Sequence, residues 1–170
     1  RYMFNKILIA NRGEIALRIE KSCRLLGIQA VIIYTEADKD SPAVHSAKES
    51  YPVDNYLHKE QIISIARACQ AEAIHPGYGF LSEDTEFNQL CRQHEITFIG
   101  PSVDVMERLG DKANAKRVIK ENNIPVIQEF SWPYSQIVFP AMAKAKKGGG
   151  GKGIYPILNE TEFKKVRELK

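Results

Sequence analysis

The first 110 residues alternate short apolar runs with longer stretches in which apolar positions recur every three or four residues. The short runs are typical of buried strands, and the longer spacing is typical of helices that bury one face. This alternation of strand and helix predicts an α/β fold with a doubly wound parallel sheet. The predicted strands are residues 6–11, 30–34, 50–53, 73–75 and 97–99, and the predicted helices are 14–26, 60–70, 86–94 and 102–109.

The pattern changes after Gly110, where a further helix is predicted over 111–121. We therefore predict one α/β domain over residues 1–110 and a helical connection over 111–128. Glycine and the residues that follow it break the helical periodicity, which is why the boundary is set there.

The rest of the chain predicts a second module over residues 129–170. Its pattern is a strand over 137–145, a glycine-rich loop, a strand over 154–158 and a helix over 160–169. Two strands and one helix cannot bury a core alone. We therefore expect this module to be the incomplete start of a second domain.

The composition of the 170 residues, with 44% hydrophobic and 26% charged residues, is that of an ordinary globular protein. Cys23, Cys69 and Cys91 lack metal-binding spacing and predict buried free thiols in a reducing compartment. No apolar run has the length of a membrane span, so no membrane partner is expected. Basic residues without interleaved aromatics disfavour nucleic acid as a partner.

The glycine-rich loop is the strongest candidate for chemistry. Backbone N–H groups in such a loop can meet phosphate oxygens closely, and flanking lysines add positive charge. The spacing is not that of the Walker P-loop, and a flexible linker is the alternative. The residues of this candidate phosphate loop are Lys144, Gly148, Gly149, Gly150, Gly151 and Lys152.

A second candidate is the loop from His75 to Glu83, which holds a His, a Tyr, two Gly and a Glu within nine residues. It follows a predicted strand, and ligands of open α/β sheets bind beyond the carboxyl ends of strands. The alternative is a structural turn in which Tyr78 and Phe80 cover the core. The first loop, from Asn11 to Glu14, has one glycine and therefore lacks the dinucleotide fingerprint.

Five segments, in order, resemble the biotin carboxylase family. They are Lys6 to Ile19, His75 to Glu83, Phe98 to Pro101, Gly110 to Lys112, and Lys144 to Gly153. This family is the ATP-grasp component of biotin-dependent carboxylases such as acetyl-CoA, propionyl-CoA and pyruvate carboxylase. The resemblance implies a Rossmann-like pre-ATP-grasp domain followed by a partial ATP-grasp lid subdomain.

The resemblance also implies substrates and site residues. ATP, Mg2+ and bicarbonate would be used to carboxylate biotin on a carrier protein. Lys112 and Lys144 match lysines that contact ATP, and the glycines match the phosphate loop. Tyr78 and Gly79 match the biotin site with Glu83 in support, and Arg18 matches the homodimer interface.

The family's Mg2+ ligands, general base and biotin-enolate arginine lie beyond the segments matched here. The resemblance therefore assigns no catalytic residue and no metal ligand to this segment. Two alternatives to an enzyme part remain: an inactive binding or dimerisation module of the same fold, and another ATP-grasp ligase.

The resemblance implies a carrier protein and a carboxyltransferase as partners, in the cytoplasm or the mitochondrial matrix. It also shows two segments that are shorter than the family usually has. They lie between Val53 and Tyr56 and between Pro125 and Lys144.

Overall fold

The computed structural model describes residues 3–110, 112–127, 130, 137–144 and 153–167. The chain divides into two compact units, Arg1–Ile124 and Pro125–Lys170.

The first unit is built on a five-stranded parallel sheet, which confirms the predicted fold class. The strand order is β3-β2-β1-β4-β5. All five predicted strands are present, with ends shifted by at most two residues. They are β1 Lys6–Ile9, β2 Gln29–Tyr34, β3 Glu49–Pro52, β4 Ala73–His75 and β5 Thr97–Phe98.

Helices connect these strands and continue beyond them. Each predicted helix is observed, and a short helix follows β2 after the pair Ser41-Pro42, because proline is favoured in the first helical turn. The helices are α1 Gly13–Leu25, α2 Pro42–Ser46, α3 Lys59–Ala68, α4 Thr85–Gln93, α5 Val103–Gly110 and α6 Lys112–Glu121.

Apolar layers cover both faces of this sheet. Side chains alternate across a strand, so Leu8 joins the layer that includes α3 and α4, while Ile7 and Ile9 join the layer of α1. Fully burying an Ile or Leu side chain stabilises the fold by about 1.5–3 kcal/mol. The two layers fix the face of every strand and hold the carboxyl ends of the strands in place.

The second unit contains an antiparallel pair and one helix. The strands are β6 Ala141–Lys144 and β7 Ile154–Ile157, and the helix is α7 Glu160–Arg167. Strand β6 begins four residues later than predicted, directly after Pro140, which lacks the N–H that a ladder needs. Asn159 caps the start of α7, since its Oδ1 accepts from the Glu162 N–H at 3.0 Å.

None of the helices within the described residues combines the length and the apolar character that crossing a membrane requires.

Candidate functional site

The order of the strands creates a crevice between β1 and β4. From β1 the chain adds β2 and β3 on one side, and it then returns to add β4 and β5 on the other. Neighbouring loops diverge at such a switch point, which is where open α/β sheets bind ligands. The loop after β1 starts at Ala10, and the loop after β4 is the predicted candidate loop from His75 to Glu83.

A single buried side chain joins these two loops. Asn11 is only 3% exposed, and its Nδ2 donates to the carbonyl oxygens of Pro76 at 2.7 Å and Tyr78 at 2.9 Å. Its Oδ1 accepts from the Arg12 N–H at 2.8 Å. Both amide protons and the amide oxygen therefore have partners, as a buried asparagine requires.

Gly77 makes this close approach possible. A Cβ at this position would lie 2.5 Å from Asn11 Nδ2 and 2.8 Å from Ile15 Cγ2. Its φ of +65° is also one that side-chain-bearing residues rarely adopt. Gly77 N–H donates to His75 Nδ1 at 3.0 Å, which tightens the turn further. Glycine is therefore required here on both steric and conformational grounds.

The middle of the loop faces solvent. Tyr78 is 67% exposed and Phe80 is 45% exposed, whereas Leu81 is buried. Tyr78 therefore does not cover the core, whereas Leu81 is part of it. Phe80 packs against the ring of Tyr56, a buried residue of the core, with ring centroids 5.2 Å apart, so the core-cover alternative holds in part for Phe80.

Asp38 connects Tyr56 back to the first loop. Its carboxylate accepts from Arg12 Nε and from a terminal Arg12 nitrogen, both at 2.6 Å, and from the Tyr56 hydroxyl at 2.8 Å. The Arg12 hydrogen bonds are the main cause that lowers the pKa of Asp38 to about 2. Burial, followed by the bond to Asp38, raises the pKa of Tyr56. Near neutral pH the Asp38 carboxylate is therefore ionised and the Tyr56 hydroxyl is protonated.

His75 lies at the base of the loop as a neutral imidazole. Burial lowers its pKa, and the positive charge of Arg18 lowers it further. Because Nδ1 accepts the Gly77 N–H, the ring proton is on Nε2. Arg18, the predicted interface residue, is exposed on α1.

The far end of the loop is held by the start of α4. Asp84 caps this helix, with its Oδ1 accepting from the Phe87 N–H at 2.7 Å. Lys59 Nζ lies 2.9 Å from Asp84 Oδ2 and also pairs with Glu86. Glu83, the predicted support of the biotin site, is exposed directly before this cap.

The predicted phosphate-side residues belong to different parts of the chain. Lys112 begins α6 in the first unit, and Lys144 is exposed at the end of β6, paired with Ile154 of β7. The glycines and the second lysine of the candidate phosphate loop lie outside the described residues. These are Gly148, Gly149, Gly150, Gly151 and Lys152.

Within the described ranges, no three His, Cys, Asp or Glu side chains cluster so that they could hold a metal ion.

The sequence pattern does not predict Asn11, Asp38 or Tyr56 as residues of the candidate site. Asn11 does carry one signal, since it is a polar residue two positions after a buried strand that ends at a predicted ligand edge. Asp38 and Tyr56 carry none, because their partners are distant in the sequence and pattern analysis is local.

Comparison with known proteins identifies the family. Residues 3–106 match the family model described as biotin carboxylase, N-terminal domain. The chain belongs to the biotin carboxylase family. That match covers the sheet and the two loops of the candidate site.

Relatives in this biotin carboxylase family match nearly the whole chain. Biotin carboxylase 2 of Bacillus subtilis is 43% identical over 182 positions, covering 98% of this chain and 41% of the relative. The mouse mitochondrial methylcrotonoyl-CoA carboxylase subunit alpha is 40% identical over 179 positions, covering 96% of this chain and 25% of the relative. Both alignments are longer than the 170 residues of the chain, so these relatives carry residues without a counterpart here.

A solved biotin carboxylase structure has the same fold. The dimeric biotin carboxylase domain of Hydrogenobacter thermophilus 2-oxoglutarate carboxylase superposes with a TM-score of 0.92 and 41% identity. The match covers 99% of this chain and 41% of that one, which was crystallised with MgADP, ADP and bicarbonate. The chain thus spans about two fifths of the length of these bacterial relatives.

Proposed function

We propose that this chain is the amino-terminal part of a biotin carboxylase, which uses ATP and bicarbonate to carboxylate biotin on a carrier protein. The observation that carries the proposal is the family match over residues 3–106, together with a loop at the sheet's switch point that presents Tyr78 to solvent. The complex of the Hydrogenobacter relative with MgADP and bicarbonate supports the same substrates.

The residues take separate roles in this proposal. Tyr78 and Gly79 contact the biotin ureido group, with Glu83 beside them. Exposure of Tyr78 supports this role, because a ligand can reach its ring and hydroxyl. The reaction itself needs groups that the described residues do not supply, so this part of the chain binds and orients its ligands.

ATP phosphates are bound by lysines and backbone N–H groups. Phosphoryl transfer depends mostly on positioning and on neutralising charge, which such groups provide. Lys144 supports this role because it stands exposed at the end of β6. The other proposed ATP contacts are Lys112, Gly148, Gly149, Gly150, Gly151 and Lys152.

The protein's partners follow from the same proposal. They are a biotin carboxyl carrier protein, a carboxyltransferase and a second copy of the chain, with Arg18 at the interface between copies. The buried free thiols of Cys23, Cys69 and Cys91 agree with a reducing compartment, and we propose the cytoplasm.

The function is tested by ATP hydrolysis in a polypeptide extended to the relatives' full length. Hydrolysis that depends on bicarbonate and rises with free biotin is the expected result. No bicarbonate-dependent hydrolysis would instead indicate an inactive binding module. Bicarbonate-dependent ATP hydrolysis that does not rise with free biotin would indicate another ATP-grasp ligase.

Lys144→Ala tests the phosphate-side assignment in the same polypeptide. We expect a 10- to 100-fold weaker ATP affinity, because a charge-assisted hydrogen bond contributes about 1.5–3 kcal/mol. Isothermal titration calorimetry measures this change. Lys165→Ala, which removes another exposed lysine of the second unit, is the control and leaves the affinity unchanged. Equal affinity in the Lys144 variant would contradict the assignment.

A further inference from the structure

The loop that carries Tyr78 has an unusual backbone conformation. Gly77 and Gly79 both have a φ of +65°, and Phe80 has a φ of +43°. Three left-handed residues within four positions are rare, and a residue such as Phe80 adopts this conformation only where its surroundings impose it. The direction of Tyr78 must therefore be set by contacts from outside the loop.

We propose that Asn11 is a positioning residue that fixes this loop for biotin, acting through the carbonyl groups on both sides of Gly77. This inference rests on the proposed function, because it takes Tyr78 and Gly79 as the biotin contacts. Asn11 itself is buried behind the loop and does not reach the ligand.

The hydrogen bonds explain why a single side chain is sufficient. One Nδ2 proton is donated to Pro76 O and the other to Tyr78 O, at 2.7 and 2.9 Å. Fixing these two carbonyls fixes the orientation of the Pro76–Gly77 and Tyr78–Gly79 peptide planes, one before and one after the Gly77-Tyr78 pair. The plane that contains the Tyr78 carbonyl also contains the Gly79 N–H, so Asn11 orients a backbone donor of the proposed biotin site directly.

Close packing between Asn11 and Gly77 adds to the effect of the hydrogen bonds. The amide of Asn11 fills the space in which a Cβ of residue 77 would lie, at 2.5 Å. The two residues therefore depend on each other: a side chain at 77 would expel the amide, and loss of the amide would free the turn.

Asn11 is in turn held by a closed series of contacts. Its Oδ1 accepts from Arg12 N–H, the Arg12 guanidinium binds Asp38, and Asp38 accepts from Tyr56. Tyr56 packs on Phe80, which returns the series to the loop. The loop is thus held at two points, by the Asn11 amide at Pro76 and Tyr78 and by the Tyr56 ring at Phe80.

Asn11→Asp is the sharpest test, because the carboxylate keeps the size of the amide and removes its donors. The aspartate can still accept from Arg12 N–H, but it sets an oxygen against the carbonyls of Pro76 and Tyr78. In the polypeptide of the relatives' full length, we expect KM for free biotin to rise at least tenfold. KM for ATP and the bicarbonate-dependent hydrolysis without biotin should stay within twofold.

Asn88→Asp is the matched control. Asn88 is as buried as Asn11, at 3% exposure, and its amide also donates to a proline carbonyl, that of Pro101 at 2.9 Å. It lies on α4 and makes no bond to the Tyr78 loop in the described structure. Its substitution should lower stability without a selective rise in KM for biotin.

Two kinetic outcomes overturn the inference. One is an unchanged KM for biotin in the Asn11 variant. The other is a rise of similar size in KM for ATP and in KM for biotin, seen in both the Asn11 and the Asn88 variant. That result would indicate a purely structural role. If Asn11→Asp does not fold, the neutral Asn11→Ala variant is measured in its place.

Amide hydrogen exchange provides a readout that does not depend on activity. We expect the amides of Gly77 and Ser82, which donate to His75 Nδ1 and to the Gly79 carbonyl, to exchange at least tenfold faster in the Asn11 variant, while those of β1 keep their protection. If the wild-type polypeptide shows no biotin-stimulated turnover, the proposed function fails. Exchange then still decides the role of Asn11, and unchanged exchange at Gly77 and Ser82 overturns that role.

Discussion

Asp38 shows how one carboxylate organises residues that are distant in the sequence. It accepts hydrogen bonds from Arg12 and Tyr56, which come from the loop after β1 and the segment before α3. Its side chain is 11% exposed, so water competes weakly for these bonds. The carboxylate therefore contributes stability only while it is ionised.

Asp38→Asn tests this contribution through its dependence on pH. The folded pKa of about 2 lies below the ordinary value of 3.8, so the stabilisation is complete above pH 3.8 and is lost as pH falls towards 2. We expect the variant to unfold at lower urea concentration than the wild type at pH 7. The difference should shrink between pH 3.8 and 2.

The control for this experiment is Asp104→Asn, which alters a largely exposed carboxylate on α5. It should leave the unfolding midpoint close to that of the wild type at every pH. A wild-type advantage over Asp38→Asn that stays constant down to pH 2 would contradict the assigned pKa shift.

The helix α4 fixes the end of the Tyr78 loop. Asp84 caps its first turn by accepting a hydrogen bond from the Phe87 N–H. The side chain of Phe87 is fully buried in the core. The cap therefore couples the helix start to the core and sets the position at which the loop ends.

Asp84→Ala should destabilise the first unit by about 1 kcal/mol, the usual cost of removing an N-cap side chain. Asp84→Asn keeps a capping oxygen but loses the charge that pairs with Lys59, so it should be nearly as stable as the wild type. Urea unfolding followed by circular dichroism measures both. Equal losses in the two variants would assign the effect to the ion pair instead of the cap.

Most of these elements follow from local patterns, while their details follow from contacts. The spacing of Ile62, Ile63 and Ala66 predicts the buried face of α3, and all three are buried. Strand β6 was predicted too long, because the apolar run before Pro140 has the composition of a strand but not the hydrogen bonds. The role of Glu162 in the cap of α7, where it accepts from Leu158 N–H, was also missed.

At the scale of the whole molecule, the first unit holds the sheet and the Tyr78 loop, and the second holds Lys144. The proposed dimer adds a further level of organisation through Arg18. The Hydrogenobacter relative is a dimer, and Arg18 is exposed on α1, where a partner can reach it.

Arg18→Glu should weaken self-association of the full-length polypeptide at least tenfold, or about 1.4 kcal/mol, because it reverses a charge at the proposed interface. Sedimentation velocity over a range of concentrations measures this. Lys48→Glu makes the same charge change at an exposed residue between α2 and β3 and serves as the control. Identical association of the Arg18 variant and the wild type would exclude Arg18 from the interface.

The sequence by itself determined the fold class, the order of the elements and the loop that carries Tyr78, because periodicity, glycine and proline act over a few residues. Only the tertiary structure decided that β1 and β4 are neighbours and that Asn11 reaches across to Pro76 and Tyr78. Contacts between residues more than sixty positions apart depend on how the strands assemble in the sheet. No local pattern encodes that assembly, so the support of the loop was visible only in three dimensions.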